Sequence, residues 1–479
     1  MTQRPRQPLR MLAALVAAAL LAGGWAGAGE GGTAFAAAKP RPRAAHAAPV
    51  PKLIFGASLL RAPAVAVTMA PAGISVEYPV MATDMGAGPC PPPSLAAELT
   101  RLGSPPLELA GVSQDETAPP GTLPQPPTSW QAATLYPLPA GFWTQLHCLL
   151  SSTREQLTVG LNMRTGSLAW ATQMAGEARA AAVNGLSFSL GNEPDLYELP
   201  NYGSLDKPFA GEEAAAAGLY EQLAAYLEPA VAGEALLGPE LAAPTRWRRA
   251  LPLVVRAVGL GTVGVHLYPL TACGSGSEAT IAGLLSRSAG SSPGRLAWVA
   301  RTAHGLGVPA IISEANSASC GGQPGVSNTP AAAVWGLRFG ISALEAGFGE
   351  VRFHSSGNSY DPFVVRGGRV YPRPLADALV ALNSWFPLGT TLHPVPSTSL
   401  AAAGVVAHAA LRPDGTVVLI LDDQSARPAK VLLRGVSLAQ LTTVSPLRAG
   451  MPTRTVTSPT AQLHLAIAPN EIVAVAGRP

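Results

Sequence analysis

Short apolar runs rich in β-branched residues alternate with Ala-, Leu- and Glu-rich stretches over most of the chain. Because β-branched residues favour strands and Ala, Leu and Glu favour helices, this alternation predicts repeated strand–helix units and a parallel sheet. The predicted strands are Ile74–Val80, Leu107–Gly111, Leu157–Met163, Leu186–Asn192, Ala235–Leu241, Thr262–Tyr268, Ala310–Asn316 and Glu350–Ser355.

Eight such units predict an α/β fold of the (β/α)8 TIM barrel type over residues 71–375, a length close to the roughly 250 residues typical of that barrel. A doubly wound open sheet is the competing topology. No G-x-G-x-x-G motif follows the first predicted strand, so a nucleotide-binding fold loses support. In a TIM barrel the functional side chains come from the C-terminal ends of the strands.

The pattern changes after Pro374. Residues 376–479 hold short alternating segments with turn signals, such as the Pro-Asp-Gly in VVAHAALRPDGTVVLILDDQ, which predict an accessory β-sandwich. Residues 51–70, before the first barrel strand, are also strand-like. We expect this N-terminal segment to add strands to the sandwich, so that both chain ends lie in one domain.

The N-terminus has the pattern of an export signal. Arg4, Arg6 and Arg10 precede the apolar run Met11–Leu21, which is much shorter than the ~20 residues needed to span a bilayer. We therefore assign residues 1–36 to a signal peptide and 37–50 to a linker. A retained membrane anchor is the alternative. The expected location is secreted or periplasmic, with no stable membrane insertion of the mature chain.

Net charge and cysteine spacing indicate which classes of partner and which kinds of site to expect. Charged residues make up 13% of the chain and the net charge is +3 with no long basic run, so nothing indicates nucleic-acid binding. The four cysteines form no C-x-x-C pair, so we expect disulfides rather than a metal site. Cys273 and Cys320 follow the neighbouring sixth and seventh strands and are expected to pair, with Cys90 and Cys148 as a second bridge. Four free thiols are the alternative.

Two glutamates stand at predicted strand ends. Glu193, in SLGNEPDLY, ends the fourth strand, and Glu314 ends the seventh, so both would face the same barrel mouth. Pro194 disfavours the right-handed helical region for Glu193, which predicts an extended backbone there. Cleavage of a glycosidic bond requires such a pair, with one carboxyl protonated to assist the leaving oxygen and the other ionised to attack or to activate water.

The segments GNEPDLY and SEANSASCGG together resemble glycoside hydrolase family 79, the β-glucuronidase and heparanase family of clan A. LELAGVSQDET, LTVGLNM, HLYP and GGQPGVSNTPAAAVWGL resemble other segments of that family in the same order, over about residues 70–365. The resemblance implies a retaining exo-β-glucuronidase with Glu193 as general acid/base and Glu314 as nucleophile. It implies no cofactor, and a glycoside or oligosaccharide substrate with a terminal uronic acid.

The resemblance also implies substrate contacts. Asn192 would bond the sugar 2-hydroxyl, and Tyr268 would donate its hydroxyl to Glu314. Backbone N–H groups of the loop from Asn316 to Gly322 would hold the uronate carboxylate. Several further side chains either contact sugar or satisfy loop backbone groups. These candidates are Asn162, Asp115, His354, Ser317, Ser319 and Tyr360.

Two alternatives remain open at this stage. One is another clan A retaining β-glycosidase, either endo-acting and heparanase-like or specific for a neutral sugar. No Lys/Arg cluster flanks either catalytic segment, which favours exo action. The other is a non-catalytic carbohydrate-binding surface protein, which the presence of both carboxylates argues against. Retention predicts carboxyl groups roughly 5–5.5 Å apart, against ~6.5–9.5 Å for inversion.

Overall fold

A computed structural model describes residues 50–122, 135–197, 210–274 and 279–478 of the 479-residue chain. The expected signal peptide and linker lie outside these ranges, apart from Val50. Among the described helices, none is both long enough and apolar enough to cross a membrane.

Eight parallel strands close into a barrel in sequence order, which confirms the predicted TIM barrel. Each strand is buried on both faces or nearly so, as expected when helices cover a parallel sheet. The strands are β1 Ala72–Glu77, β2 Leu107–Ala110, β3 Leu157–Leu161, β4 Leu186–Leu190, β5 Ala235–Leu241, β6 Thr262–Leu267, β7 Ala310–Ala315 and β8 Val351–Ser355.

The helices around the barrel have conventional ends. Ser167 accepts the Trp170 N–H at 3.3 Å and caps Leu168–Ala181, and Gly259, in the left-handed conformation at φ 72°, ends Leu251–Val258. The other described helices of at least eight residues are Tyr78–Met85, Pro93–Arg101, Phe142–Thr153, Ala210–Val231, Ala297–Gly305, Ala331–Glu345 and Leu375–Trp385.

A buried ion cluster fills part of the barrel interior. The Arg352 guanidinium donates to Glu108 at 2.9 Å, to Glu350 at 2.8 Å and to the Thr158 hydroxyl at 2.9 Å. Arg352 is 6% exposed and the two carboxylates are buried more deeply still. An unpaired charge at this depth costs several kcal/mol, so the guanidinium needs these acidic partners.

The accessory domain is a two-sheet sandwich, as predicted, and it includes the N-terminal segment. The smaller sheet pairs Lys52–Ile54 with Ala429–Arg434, which pairs in turn with Gln462–Ile467. The larger sheet has the order Val65–Ala66, Thr391–Pro394, Val405–Leu411, Val417–Asp423, Ile472–Gly477, Leu438–Val444 and Thr453–Thr457. A second apolar core lies between the two sheets.

The barrel extends past its expected boundary at residue 375. Helix Leu375–Trp385 buries Leu379 and Leu382 in the barrel's apolar cluster, and the next sandwich strand begins at Thr391. The two domains are joined by a buried ion pair in which Arg338 donates to Asp422 at 2.6 Å. The boundary therefore lies between residues 386 and 390.

Candidate active site

The turn after β4 differs from the extended conformation predicted for it. Glu193 has φ 49° and ψ 53°, in the left-handed region, and a 3-10 helix begins at Pro194. Proline disfavours the right-handed helical region for the preceding residue, but the left-handed region stays accessible. The turn is held by the Glu193 N–H, which donates to the Glu240 carbonyl at 3.2 Å, and by the Leu196 N–H, which donates to the Glu193 carbonyl at 2.8 Å. A non-glycine residue held this way costs of order 1–3 kcal/mol, and such strain clusters at functional sites.

The two glutamates meet at the C-terminal mouth of the barrel. A carboxylate oxygen of Glu193 and one of Glu314 lie within 4.8 Å of each other. The Tyr268 hydroxyl donates to Glu314 Oε1 at 2.7 Å. Glu314 Oε2 has no hydrogen-bond partner in the part of the chain that the structure describes. The two carboxyls are therefore near enough to act on one bound sugar, as the paired acids of a glycosidase do.

His266, which the sequence analysis missed, lies among three carboxylates. Its Nδ1 is 3.0 Å from Glu193 Oε1 and 3.9 Å from Glu314 Oε1, and its Nε2 is 4.0 Å from Glu240 Oε1. Burial lowers the pKa of His266, but the neighbouring carboxylates outweigh it and raise the pKa well above its usual value. The imidazolium then donates to Glu193. His266 and Tyr268 are two residues apart on β6 and share one face, a signal that could have identified it.

His354 lies on the other side of Glu314. Its Nδ1 is 3.5 Å from Glu314 Oε2 and 3.0 Å from Ser75 Oγ, and its Nε2 is 3.4 Å from Glu77 Oε1. Burial lowers the pKa of His354, but the charges of Glu314 and Glu77 raise it to about 9. His354, one of the predicted substrate contacts, is thus a buried cation between two carboxylates.

Glu77 is a second residue that the sequence analysis missed. It ends β1 and accepts the Val112 and Ser113 N–H groups at 3.1 and 2.7 Å. Burial raises its pKa, but the bonds from His354 and Ser113 lower it below its usual value. The predicted first strand ran on to Val80, whereas a helix begins at Tyr78. The true strand end, where functional residues gather, was therefore hidden.

The pKa of His354 predicts a pH-dependent stability. A histidine whose folded-state pKa is raised from 6.5 to about 9 contributes stability that is complete below pH 6.5 and is lost as the pH rises through 9. By linkage, the free energy of unfolding falls by about 3 kcal/mol at most. We expect the Tm to fall over this range, and His354→Gln to flatten the fall, by calorimetry at a series of pH values. The exposed His304→Gln is the matched control, and an equal slope in both variants would contradict this assignment.

Asp115, another predicted substrate contact, shapes loops instead. It is buried and accepts the N–H groups of Met163 and Asn192, each at 3.0 Å, together with the Tyr197 hydroxyl. All these bonds go to protein groups, so Asp115 has a structural role. It fixes the backbone at Asn192, whose side-chain Oδ1 has no partner among the described residues.

Asn162 is likewise occupied by backbone groups. Its Nδ2 donates to the Thr117 carbonyl at 3.0 Å, and its Oδ1 accepts the Thr165 N–H at 3.0 Å. In the structure, Asp115 and Asn162 both bond loop backbone groups, the second of the two roles expected for them. Asn and Asp side chains commonly satisfy turns in this way.

The loop after β7 is tied down at several points. Asn316 donates to the carbonyls of His354 and Tyr360 at 2.8 and 3.2 Å. Ser317 is buried and donates to Ser327 at 2.8 Å, so its hydroxyl is not presented to a ligand as predicted. Ser319 donates to Thr271 at 3.1 Å, across the gap to the loop after β6.

Disulfides and an aromatic pair complete the rim. Cys273 and Cys320 are bonded with Cα atoms 5.4 Å apart, which joins the loops after β6 and β7. Cys90 and Cys148 form the second bridge. Tyr360 stacks on Tyr268 with ring centroids 6.3 Å apart. The Tyr360 hydroxyl accepts a hydrogen bond from Ser356 at 2.9 Å. The stacking places Tyr360 next to Tyr268, the residue that donates to Glu314.

The same groups have the spacing of a cation site. Ligand atoms of Glu193, His266 and Glu314 lie within 4.8 Å of one another. His266 ligates a metal only in its neutral form, whereas the carboxylates around it favour the cation. The protonated ring places a positive charge between the two glutamates.

The sequence matches no protein-family model and no curated protein. Solved structures do match. A 4-O-α-L-rhamnosyl-β-D-glucuronidase from Fusarium oxysporum is similar at TM-score 0.63 and 19% identity, covering 87% of this chain and 98% of its own. A GH51 arabinofuranosidase from Xanthomonas axonopodis pv. citri matches at TM-score 0.60 and 13% identity, covering 87% and 97%. A family 30 subfamily 8 xylanase from Clostridium acetobutylicum matches at 0.53 and 11%, covering 87% and 98%.

These likenesses concern the fold of the chain. At such low identity they establish the fold, a TIM barrel with an accessory β-sandwich. The similar proteins are glycoside hydrolases of clan A, the clan to which the resemblance in sequence pointed. Membership of family 79 in particular stays a hypothesis.

Proposed function

We propose that this protein is a retaining glycoside hydrolase that removes a terminal β-linked glucuronic acid. The observation that carries the proposal is the pair Glu193 and Glu314, on β4 and β7, with carboxylate oxygens within 4.8 Å. An accidental pair of acids would be expected to repel and to move apart. Here each one has its own donor, His266 for Glu193 and Tyr268 for Glu314.

The geometry supports distinct roles in a double displacement. Tyr268 donates to Glu314 Oε1 and His354 faces Oε2 at 3.5 Å, so the nucleophile is held from both sides. Glu193 is the more exposed of the two, at 23% against 9% for the side chains, as suits a group that must reach the leaving oxygen and then a water. In the first step Glu193 gives its proton to the leaving oxygen while a glycosyl ester forms on Glu314. In the second step Glu193 takes a proton from the attacking water.

Several features support a uronic acid at the non-reducing end. Asn192 lies beside Glu193, and its buried Oδ1, which has no partner in the described part of the chain, would accept the sugar 2-hydroxyl. The loop from Asn316 to Gly322 is held by its own side chains and by Cys320, so its backbone is fixed where a carboxylate would bind. The Ser317 N–H already donates to Asn316 Oδ1 at 2.8 Å, so the donors would come from the rest of the loop. The match to the rhamnosyl-glucuronidase agrees with this choice.

A neutral-sugar glycosidase is the second candidate, because arabinofuranosidases and xylanases share the fold. The resemblance to family 79 and the rhamnosyl-glucuronidase favour the uronide. We also propose export, since disulfides such as Cys90–Cys148 persist in oxidising compartments.

A panel of 4-nitrophenyl glycosides tests the proposal. We expect kcat/KM for the β-glucuronide to exceed that for the β-glucoside, β-xyloside and α-arabinofuranoside by at least about tenfold, because a charged hydrogen bond contributes about 1.5–3 kcal/mol. The first-formed sugar should be the β-anomer by NMR, as retention requires.

Glu314→Gln, purified in parallel, controls for contaminating enzymes. If kcat/KM is higher for the arabinofuranoside or the xyloside than for the glucuronide, the neutral-sugar alternative is correct and the uronide proposal is wrong. Initial release of the α-anomer would rule out retention, and no turnover of any glycoside would favour the non-catalytic alternative.

A further inference from the structure

Glu240 is a third carboxylate beneath the catalytic pair, with no part in the double displacement. It lies next to the last residue of β5 and is 1% exposed. Within the described ranges, neither of its carboxylate oxygens has a hydrogen-bond partner. A buried polar group without a partner costs about 1–3 kcal/mol, and more when charged. A native protein that keeps such a group gains something from it.

Glu240 reaches Glu193 through His266. The imidazole lies between them, with Nε2 4.0 Å from Glu240 Oε1 and Nδ1 3.0 Å from Glu193 Oε1. Gly264 makes room for this arrangement on β6. A Cβ there would lie 2.8 Å from Ser313 Oγ and 3.4 Å from Glu240 Cγ. A side chain at residue 264 would therefore displace Ser313, whereas its distance from Glu240 is an ordinary contact.

Glu240 also reaches Glu193 through the backbone. Its carbonyl accepts the Glu193 N–H at 3.2 Å. Both residues are non-glycine and left-handed, at φ 53° and 49°, on adjacent strands. Each strained conformation costs of order 1–3 kcal/mol and persists only where surrounding contacts enforce it. The pairing of two such residues fixes the position of the Glu193 backbone.

Glu240 shares its buried site with Glu108. Burial and the Glu240 carboxylate raise the pKa of Glu108 to about 8, although Arg352 lowers it, so at neutral pH Glu108 holds the proton. When two carboxyls share a site, one is neutral and the other ionised. The titratable groups facing His266 or Glu240 are Glu193, Glu314, Glu108, Asp195, His354 and Tyr220.

We propose that Glu240 is a positioning residue for the acid/base Glu193, acting through His266 and through its own backbone carbonyl. This role rests on the proposed function. The Glu240 carboxylate keeps the imidazolium charged and its Nδ1–H directed at Glu193. The carboxyl of Glu193 is then aimed at the leaving oxygen in the first step and is stabilised as a carboxylate before the second.

The leaving-group dependence of Glu240→Gln tests this role. With the charge removed, kcat/KM for phenyl β-glucuronide should fall by about tenfold, part of the 10²–10⁴-fold that general acid–base catalysis contributes. With 2,4-dinitrophenyl β-glucuronide, whose leaving group needs little protonation, kcat/KM should change by less than about twofold. Glu240→Asp keeps the carboxyl group, so its kcat/KM for phenyl β-glucuronide should lie between those of Glu240→Gln and the wild type. If Glu240→Gln does not fold, Glu240→Asp provides the test.

Glu155→Gln is the matched control, because Glu155 is 1% exposed and has an unpartnered oxygen but precedes β3 at the opposite end of the barrel. The ring ¹⁵N shifts of His266 give a readout that needs no turnover. In Glu240→Gln the imidazolium signal of His266 should be lost at a lower pH than in the wild type. In Glu155→Gln it should be lost at the same pH as in the wild type. Glu240 variants that match Glu155→Gln in both measurements would overturn the proposal. A wild type inactive on every glycoside would overturn the proposed function alone, since the ring shifts still decide the link between Glu240 and His266.

Discussion

Glu314→Ala is expected to abolish turnover of every glycoside, with kcat/KM reduced on the order of 10⁴- to 10⁶-fold, as for the loss of other catalytic nucleophiles. Without the Glu314 carboxylate no glycosyl ester forms, whatever the leaving group. The cavity left by the side chain admits a small anion to the same face of the sugar. Added azide should then attack directly and give the inverted α-glycosyl azide, which NMR identifies.

The control for this variant is Tyr268→Phe, which keeps the carboxylate and removes the hydroxyl at 2.7 Å. It should keep measurable turnover and give no azide product. Full activity of Glu314→Ala on an activated aryl glycoside would remove Glu314 from the mechanism.

Glu193→Ala should fail differently because it serves both steps as a proton donor and acceptor. Activity on poor leaving groups should fall by about 10²–10⁴-fold, the usual contribution of general acid–base catalysis. An activated aryl glycoside should still form the glycosyl ester, and its kcat/KM should fall much less. Azide should restore turnover and give the β-azide, since an anion needs no general base.

The two azide configurations distinguish the roles with one reagent. A β-azide from Glu314→Ala together with an α-azide from Glu193→Ala would mean that the acid/base and the nucleophile are exchanged. The structural basis for the assignment is the different setting of the two carboxyls. Glu193 accepts from His266 and is the more exposed of the two. Glu314 is more buried, accepts from Tyr268 and faces the His354 cation.

The barrel was predictable because its signal is repeated. Each apolar run is followed by a helix-forming stretch, and errors of a few residues at one strand do not change the topology. The error at the first strand shows what the pattern omits. ISVEYPV has three β-branched residues at alternate positions and matches a strand pattern, but Pro79 is well placed near the start of a helix, so the strand ends at Glu77. The helix Leu375–Trp385 was assigned to the sandwich by the predicted boundary at residue 375. Its packing against the barrel is a tertiary contact that the local pattern does not show.

The site was predictable only where the chemistry has a local signature. Asn192, Glu193 and Glu314 stand in recognisable segments at strand ends. His266 and Glu240 lie inside strands, where a lone polar residue has no meaning until the closed barrel brings the strands together. Asp115 and Asn162 were overvalued for the opposite reason, because a polar residue at a strand end serves a loop as readily as a ligand.

The chain enters the sandwich, leaves it for the barrel and then returns. Two covalent connections, residues 67–71 and 386–390, therefore link the domains. The partner strands of Val65–Ala66 and Lys52–Ile54 are synthesised about 325 and 380 residues later, respectively. A nascent chain can close its barrel before the sandwich exists, but it cannot bury its own first strands. Cleavage in either connection alone would leave the domains associated through the other, and a hinge between them would have to bend at both connections at once.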